Sequence, residues 1–205
     1  MDAFKAIAAF AVAYAAGSIP WGVVLGRLFA STDLTTRGSG GTGATNALRV
    51  LGWRFSLAVF TLDFMKGLLP VLFARWLGVE GWVLAVVGLV GVVGSCWSPW
   101  IGFRGGKGMS TGAGAAAGLM FWVLLVLPLM VLIVLLTRYV SLASLAGSVT
   151  VSAVLIVLGT VDVVPWYVIA EVLGITAIIV AQHRANIRRL LSGTERRFGE
   201  PASST

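Results

Sequence analysis

Charge is what this chain has least of. Lys, Arg, Asp and Glu make up 11% of its 205 residues, against about 25% in soluble domains. That shortage, with 58% hydrophobic residues and a mean hydropathy of +0.96, excludes an ordinary soluble protein and points to a polytopic membrane protein. Alternating polar and apolar strands are missing as well. The apolar runs are continuous, so helices are favoured over a barrel, because backbone in hydrocarbon must satisfy its own hydrogen bonds. A single cysteine, Cys96, rules out an intramolecular disulfide and reads as a small buried apolar residue. Residues 3–16 lack a basic leader region and a clean cleavage site, and read as a retained span. No repeat or low-complexity segment stands out.

The charge that is present leans positive, 15 Lys and Arg against 8 acids, a net +7. In a membrane protein such an excess gathers in cytoplasmic loops, so nucleic acid is not expected as a partner. A span needs about 20 apolar residues. The first runs from Phe4 to Ala30, interrupted at "GSIPWG" (17–22), where Pro20 removes a donor. A polar segment from Ser31 to Arg49 follows, then helices expected from Trp53 to Leu77 and from Trp82 to Trp97. The stretch from Ala113 to Thr137 is too long for one helix and too short for two full spans. Arg104 and Lys107 before it and Arg138 after it belong on one side, which requires an even number of crossings and two short helices with a break near Phe121 or Pro128. Helices from Leu142 to Leu158 and from Trp166 to Ala181 complete an all-α, single-domain chain. It has seven expected crossings, the N-terminus outside, the C-terminus cytoplasmic and a disordered tail over 198–205.

The polar, glycine-rich segments (35–50, 102–112, 138–144 and 183–197) all fall on the cytoplasmic side of that topology. A transporter places polar groups at mid-membrane or on both faces, so one-sided clustering favours an enzyme, with a transporter of an anionic solute as the alternative. "GSGGTG" (38–43) matches a dinucleotide fingerprint in letters, but a transmembrane helix stands where the strand is required. "GFRGGKG" lacks the Ser or Thr that a P-loop carries after its lysine. Both loops still combine glycines, which let backbone approach a ligand, with cations, which suit phosphate.

His183, the sole histidine, and Asn186 stand at i and i+3 in "HRAN", a base with an orienting amide. Asp63 and Lys66 have the same spacing inside a predicted helix and read as a mutually neutralising pair. The eight tryptophans lie mostly near helix ends, as interface anchors do.

Six segments in order, "GSIPWG", "RGSGGTGATNALRVLG", "LDFMKG", "FRGGKGMSTGAG", "RYVSLAS" and "HRANIRRLLSGTERRF", resemble the bacterial acyl-phosphate:glycerol-3-phosphate acyltransferases, the PlsY family. The resemblance covers nearly the whole chain. It implies a seven-helix inner-membrane enzyme that moves an acyl group from acyl-phosphate to the 1-hydroxyl of sn-glycerol 3-phosphate, with no cofactor or metal, as a monomer among membrane lipids. It assigns catalysis to Ser39, Arg49, His183 and Asn186. It assigns substrate binding to Gly38, Gly40, Gly43 and Asn46 in the first loop, and to Arg104, Gly105, Gly106, Lys107 and Gly108 in the second. Ser141 and Ser144 complete the phosphate pocket, and Glu195 is structural. The chain departs from the family pattern at Gly41, where Asn is usual, and at Gly94–Ser95, where a Gly-His pair is usual.

Overall fold

The computed structural model describes residues 2–200, and every regular element among them is helical. The first apolar run forms α1 (Ala3–Ser18) and α2 (Trp21–Ala30), bent by 44° at the Ile19–Pro20 break. Asp2 caps α1 by accepting the Phe4 N–H at 3.0 Å. The polar segment is not all loop: it closes with a short helix, α3 (Ala44–Leu51). Then follow α4 (Trp53–Trp76) and α5 (Gly81–Cys96), a 3₁₀ turn at Pro99–Ile101, and α6 (Met109–Leu119). The ambiguous stretch breaks at Phe121, as expected: a 3₁₀ segment, Phe121–Val126, leads into α7 (Leu127–Thr137). Two longer helices, α8 (Val140–Thr160) and α9 (Trp166–Gln182), precede α10 (Arg184–Leu191), which is bent 61° from α9.

Among the described residues three helices are long and apolar enough to cross a membrane, and up to five if each bent pair counts as one span. Large apolar side chains such as Leu135 and Leu136 lie outward, 72% and 76% exposed. A soluble protein would bury them, but a lipid-facing surface requires them. The interior is built instead from small residues, among them Ala9, Ala13, Val71, Val87 and Ala115. Between α4 and α6 the backbones come close enough that a Cβ on Gly67 would collide with the Thr111 carbonyl, and one on Gly114 with that of Phe64. Small residues at the seam allow this approach, and with little hydrophobic drive between helices in lipid, close packing does the holding.

The expected Asp63–Lys66 pair forms inside α4, with Nζ 2.8 Å from Oδ1. Arg75, near the end of α4, donates to the Leu119 carbonyl at 2.8 Å and caps α6 where the 3₁₀ segment begins. In the expected tail, Phe198 is tied to Arg138 at 2.6 Å (backbone to backbone) and 2.8 Å (Arg138 Nη2 to the Phe198 carbonyl), while residues 201–205 lie outside the described residues.

Candidate active site

The first glycine-rich loop is organised by Asn46, buried on the first turn of α3. Its Oδ1 accepts the Ser39 N–H at 2.8 Å. Its Nδ2 lies 3.1, 3.0 and 2.8 Å from the carbonyls of Leu34, Arg37 and Gly41, sharing two hydrogens among three acceptors. Asn46 therefore shapes the loop, with its amide turned onto backbone. Gly38 and Gly40 hold φ of +65° and +70°, the left-handed region that favours glycine. Ser39 between them is exposed, and Gly43 caps α3 from an extended backbone. At the loop's start, hydrogen bonds from Thr35 and then Arg27 hold Asp33 at about pKa 2. At its far end α3 carries Arg49 toward the 189–200 segment. Burial lowers the Arg49 pKa, and the positive charge of Arg196 adds to the effect, against Glu195 and Glu200.

The second loop folds back on α5. Gly105 and Gly106 donate their N–H groups to the Cys96 and Ser95 carbonyls, each at 3.0 Å. Those two donors thus cap α5 within the fold. What the loop offers is Lys107 and, past Gly108 (φ +74°), the N-terminus of α6, whose first N–H groups have no partner within the helix. Arg104 is exposed beside them.

Lys107 Nζ donates to Asn186 Oδ1 at 2.7 Å, which joins the second loop to the "HRAN" segment. Asn186 Nδ2 in turn donates to Glu195 Oε1 at 2.6 Å. The same oxygen accepts from Ser141 Oγ at 2.7 Å, while Arg189 Nε bonds Oε2 at 2.7 Å. Burial alone would raise the Glu195 pKa, but the hydrogen bonds from Asn186, Ser141 and Arg189 together hold it below its ordinary value. Lys107 is exposed as a whole residue, but its ammonium end is turned into the cluster, and desolvation there pulls its pKa down to about 8, with Arg189 and Arg49 adding to this and Glu195 opposing. Ser144 takes no part in this cluster through its hydroxyl, which bonds back to the Val140 carbonyl at 3.0 Å.

His183 sits at the bend between α9 and α10, not within a helix as its spacing to Asn186 suggested. Its Nδ1 is 2.8 Å from the Ile179 carbonyl. A carbonyl can only accept, so Nδ1 carries the proton and Nε2 is left as an acceptor. Burial, then the charge of Lys107, lowers the His183 pKa to about 4. The ring is therefore neutral at physiological pH.

An apolar cleft opens beside this cluster. Its lining includes Met109 and Ile179 at the site end and Ala113, Val123, Gly147 and Val172 further along. Met109 opens the helix that follows Lys107, and Ile179 holds His183. The polar cluster and the cleft thus share a border. Among the described residues no group of three His, Cys, Asp or Glu side chains is placed to hold a metal ion.

Lys107, Asn186, His183 and Ser141 are thus drawn together from elements far apart in sequence, with Arg49 near enough to act on Lys107 electrostatically. Sequence reasoning passed over Arg189. Its signal was "SGT", where Gly193 at φ +70° turns the chain so that Glu195 meets Arg189.

The family model described as glycerol-3-phosphate acyltransferase matches residues 7–193. A glycerol-3-phosphate acyltransferase of Aquifex aeolicus is 41% identical over 196 residues, covering 95% of this chain and all (100%) of that one. One from Geobacter sulfurreducens is 42% identical over 189 residues, covering 92% and 95%. A crystal structure of PlsY, an integral membrane glycerol 3-phosphate acyltransferase, in its glycerol 3-phosphate form superimposes with a TM-score of 0.87 at 40% identity, covering 95% of this chain and 96% of that one. The lysophosphatidic acid form gives a TM-score of 0.85 at 38% identity, covering 95% of each chain.

Proposed function

Since the chain belongs to the glycerol-3-phosphate acyltransferase family, whose model spans residues 7–193, we propose that it transfers a fatty acyl group from acyl-phosphate to the 1-hydroxyl of sn-glycerol 3-phosphate. The products are lysophosphatidic acid and inorganic phosphate. The observation that carries this reading is the shared border: cations and a neutral imidazole meet the mouth of an apolar cleft. A substrate that is phosphate at one end and hydrocarbon at the other fits both halves. Each CH₂ drawn into the cleft contributes about 0.8 kcal/mol.

Acyl-phosphate is already activated, so catalysis reduces to positioning and charge stabilisation. Lys107, Arg49 and the α6 N-terminus hold the phosphates, and Ser39 sits at the exposed edge of the first loop. His183 Nε2 accepts a hydrogen bond from the hydroxyl of bound glycerol 3-phosphate, which holds the hydroxyl oxygen toward the acyl carbon until attack begins. A pKa near 4 makes this ring a poor proton acceptor at neutral pH. The hydroxyl proton therefore passes to the departing phosphate. As the new C–O ester bond forms, the bond from the acyl carbon to the phosphate oxygen breaks, and that oxygen leaves with the electron pair.

In this reading the chain is a single membrane domain and a monomer. It crosses the cytoplasmic membrane of a bacterium seven times, with the N-terminus outside and the site facing the cytoplasm. The short α6 and the Phe121–Thr137 run then form a pair of crossings, supported by the cations Lys107 and Arg138 at their two ends.

The test is phosphate release by purified protein given palmitoyl-phosphate, with and without glycerol 3-phosphate, with mass detection of the lipid. Release that depends on glycerol 3-phosphate, with lysophosphatidic acid formed, is the expected result. Folded protein that releases nothing would overturn the assignment.

A further inference from the structure

The break in the first span receives contacts from three sides. Lys66 Nζ, buried in α4, donates to the Ile19 carbonyl at 2.8 Å, 47 residues away. Ser98 Oγ donates to the Ser18 carbonyl at 2.6 Å, and Trp100 Nε1 to Ser18 Oγ at 3.0 Å. Residues 18–20 are therefore a hub, and each glycine-rich loop leaves from it by its own arm.

One arm is α2. A Cβ on Gly22 would collide with the Thr42 carbonyl, and one on Gly26 would stand 2.6 Å from that of Thr32, so α2 grips both ends of the first loop. The other arm is the Ser98–Ile101 turn, which leads into Gly105, Gly106 and Lys107. The arms meet again at the site, where a Cβ on Gly106 would stand 3.3 Å from Thr42 Oγ1. Helix ends buried in hydrocarbon need partners for their carbonyls. At this break the partner is a charged side chain that also carries a counterion, Asp63, 2.8 Å away.

We propose that Lys66 is a positioning residue for acyl transfer: through the Ile19 carbonyl it fixes the break from which both phosphate-binding loops hang, and so sets their separation. The proposal rests on the acyltransferase reading. Its rival is that Lys66 merely neutralises Asp63, and charge-balanced variants separate the two. Asp63→Asn leaves Lys66 free to hold Ile19, Lys66→Met removes the hold and strands the carboxylate, and the double variant removes the hold without stranding a charge.

The experiment compares full-length wild type and the three variants in detergent, by thermal unfolding and by steady-state kinetics with palmitoyl-phosphate and glycerol 3-phosphate. Lys66→Met is expected to lower the unfolding midpoint, and the double variant to recover the midpoint of Asp63→Asn. The double variant is nevertheless expected to stay about 100-fold down in kcat/KM, the scale of a misplacement near 1 Å. KM for glycerol 3-phosphate should rise and kcat should fall, while Asp63→Asn stays close to wild type. A double variant that regains activity along with its midpoint overturns the proposal, as does a folded Asp63→Asn as inactive as Lys66→Met. If wild type itself shows no transfer, the function reading fails separately, and thermal stabilisation by added glycerol 3-phosphate becomes the readout. In that case the proposal stands only if Asp63→Asn is stabilised and the double variant is not.

Discussion

Lys107 and Asn186 lie 79 positions apart in sequence, and Lys107 Nζ donates to Asn186 Oδ1 at 2.7 Å. The amide cannot flip to release the lysine, because its Nδ2 is held by Glu195 at 2.6 Å. One side chain thus aims the cation of the second loop from the first turn of the "HRAN" segment. Asn186→Ala removes both bonds. The loss of a charge-assisted hydrogen bond costs about 2–3 kcal/mol, so kcat/KM should fall by about 30- to 150-fold, with KM for glycerol 3-phosphate raised. Steady-state kinetics on the folded variant checks this.

The lysine also sets a pH limit. Lys107 carries its proton below about pH 8 in the free enzyme and loses it above, because burial disfavours the charged form. Phosphate binding needs the cation, so kcat/KM for glycerol 3-phosphate should decline as pH rises through about 8. Lys107→Arg, with a side chain that stays charged beyond about pH 12, should move that alkaline limb out of range even if the plateau drops. A limb left unmoved in Lys107→Arg would assign it to another group.

His183 makes the opposite prediction. With its pKa near 4, it gains no charge between pH 5 and 8, so no acidic limb in that range should belong to it. His183→Gln keeps a hydrogen-bonding group but no base. Loss of one well-aligned bond, about 1–1.5 kcal/mol, should raise KM for glycerol 3-phosphate about tenfold and leave kcat within several-fold of wild type. A collapse of kcat with KM unchanged would restore His183 as the essential base.

The spans were legible because hydrocarbon imposes long apolar runs bounded by polar or breaking residues. Expected Trp53–Leu77 is observed as Trp53–Trp76, and expected Leu142–Leu158 as Val140–Thr160. A break was expected near Phe121 or Pro128 in a run of the wrong length for one helix, and the helix stops just before the first of these. Short α3 was not legible, because eight residues inside a polar, glycine-rich segment fall far short of the apolar run that marks a span, and Asn46 ties it to backbone up to 12 residues away. The Asp63–Lys66 pair was readable from an i,i+3 spacing, but the reach of Lys66 to Ile19 was not, because nothing local specifies that contact. Lys107, Ser141, His183 and Asn186, all from the quoted motifs, lie together, while what each of them contacts depended on distances that no spacing gives. Asn46 and the N–H groups of Gly105 and Gly106 build the loops, and Lys107 and His183 face the cluster.

Glu195 contributes to stability through a pH-dependent term with a definite sign. Its folded pKa lies below the unfolded value of about 4.3. The stabilisation is therefore complete above that unfolded value and is lost as pH falls through the folded one. Glu195→Gln should lower the unfolding midpoint at pH 7, because Ser141, Asn186 and Arg189 lose a charged acceptor. The gap from wild type should narrow as pH falls below the unfolded value and through the lowered folded one, where the wild-type carboxyl also loses its charge. A gap that persists unchanged in acid would assign the effect to packing.

The cleft makes the last prediction, and it concerns the acyl chain alone. Ala113 lines the cleft one turn along α6 from Met109, so a large side chain there narrows the channel beyond its mouth without touching the polar cluster. Ala113→Phe should therefore leave KM for glycerol 3-phosphate unchanged and shorten the preferred acyl chain. Each CH₂ expelled from the cleft forfeits about 0.8 kcal/mol, roughly fourfold in affinity. Palmitoyl-phosphate should thus lose far more in kcat/KM than octanoyl-phosphate, whose chain ends before or near the obstruction. Equal losses for both chains would mean that the acyl group lies elsewhere, against the lipid-facing surface and not between α6 and α9.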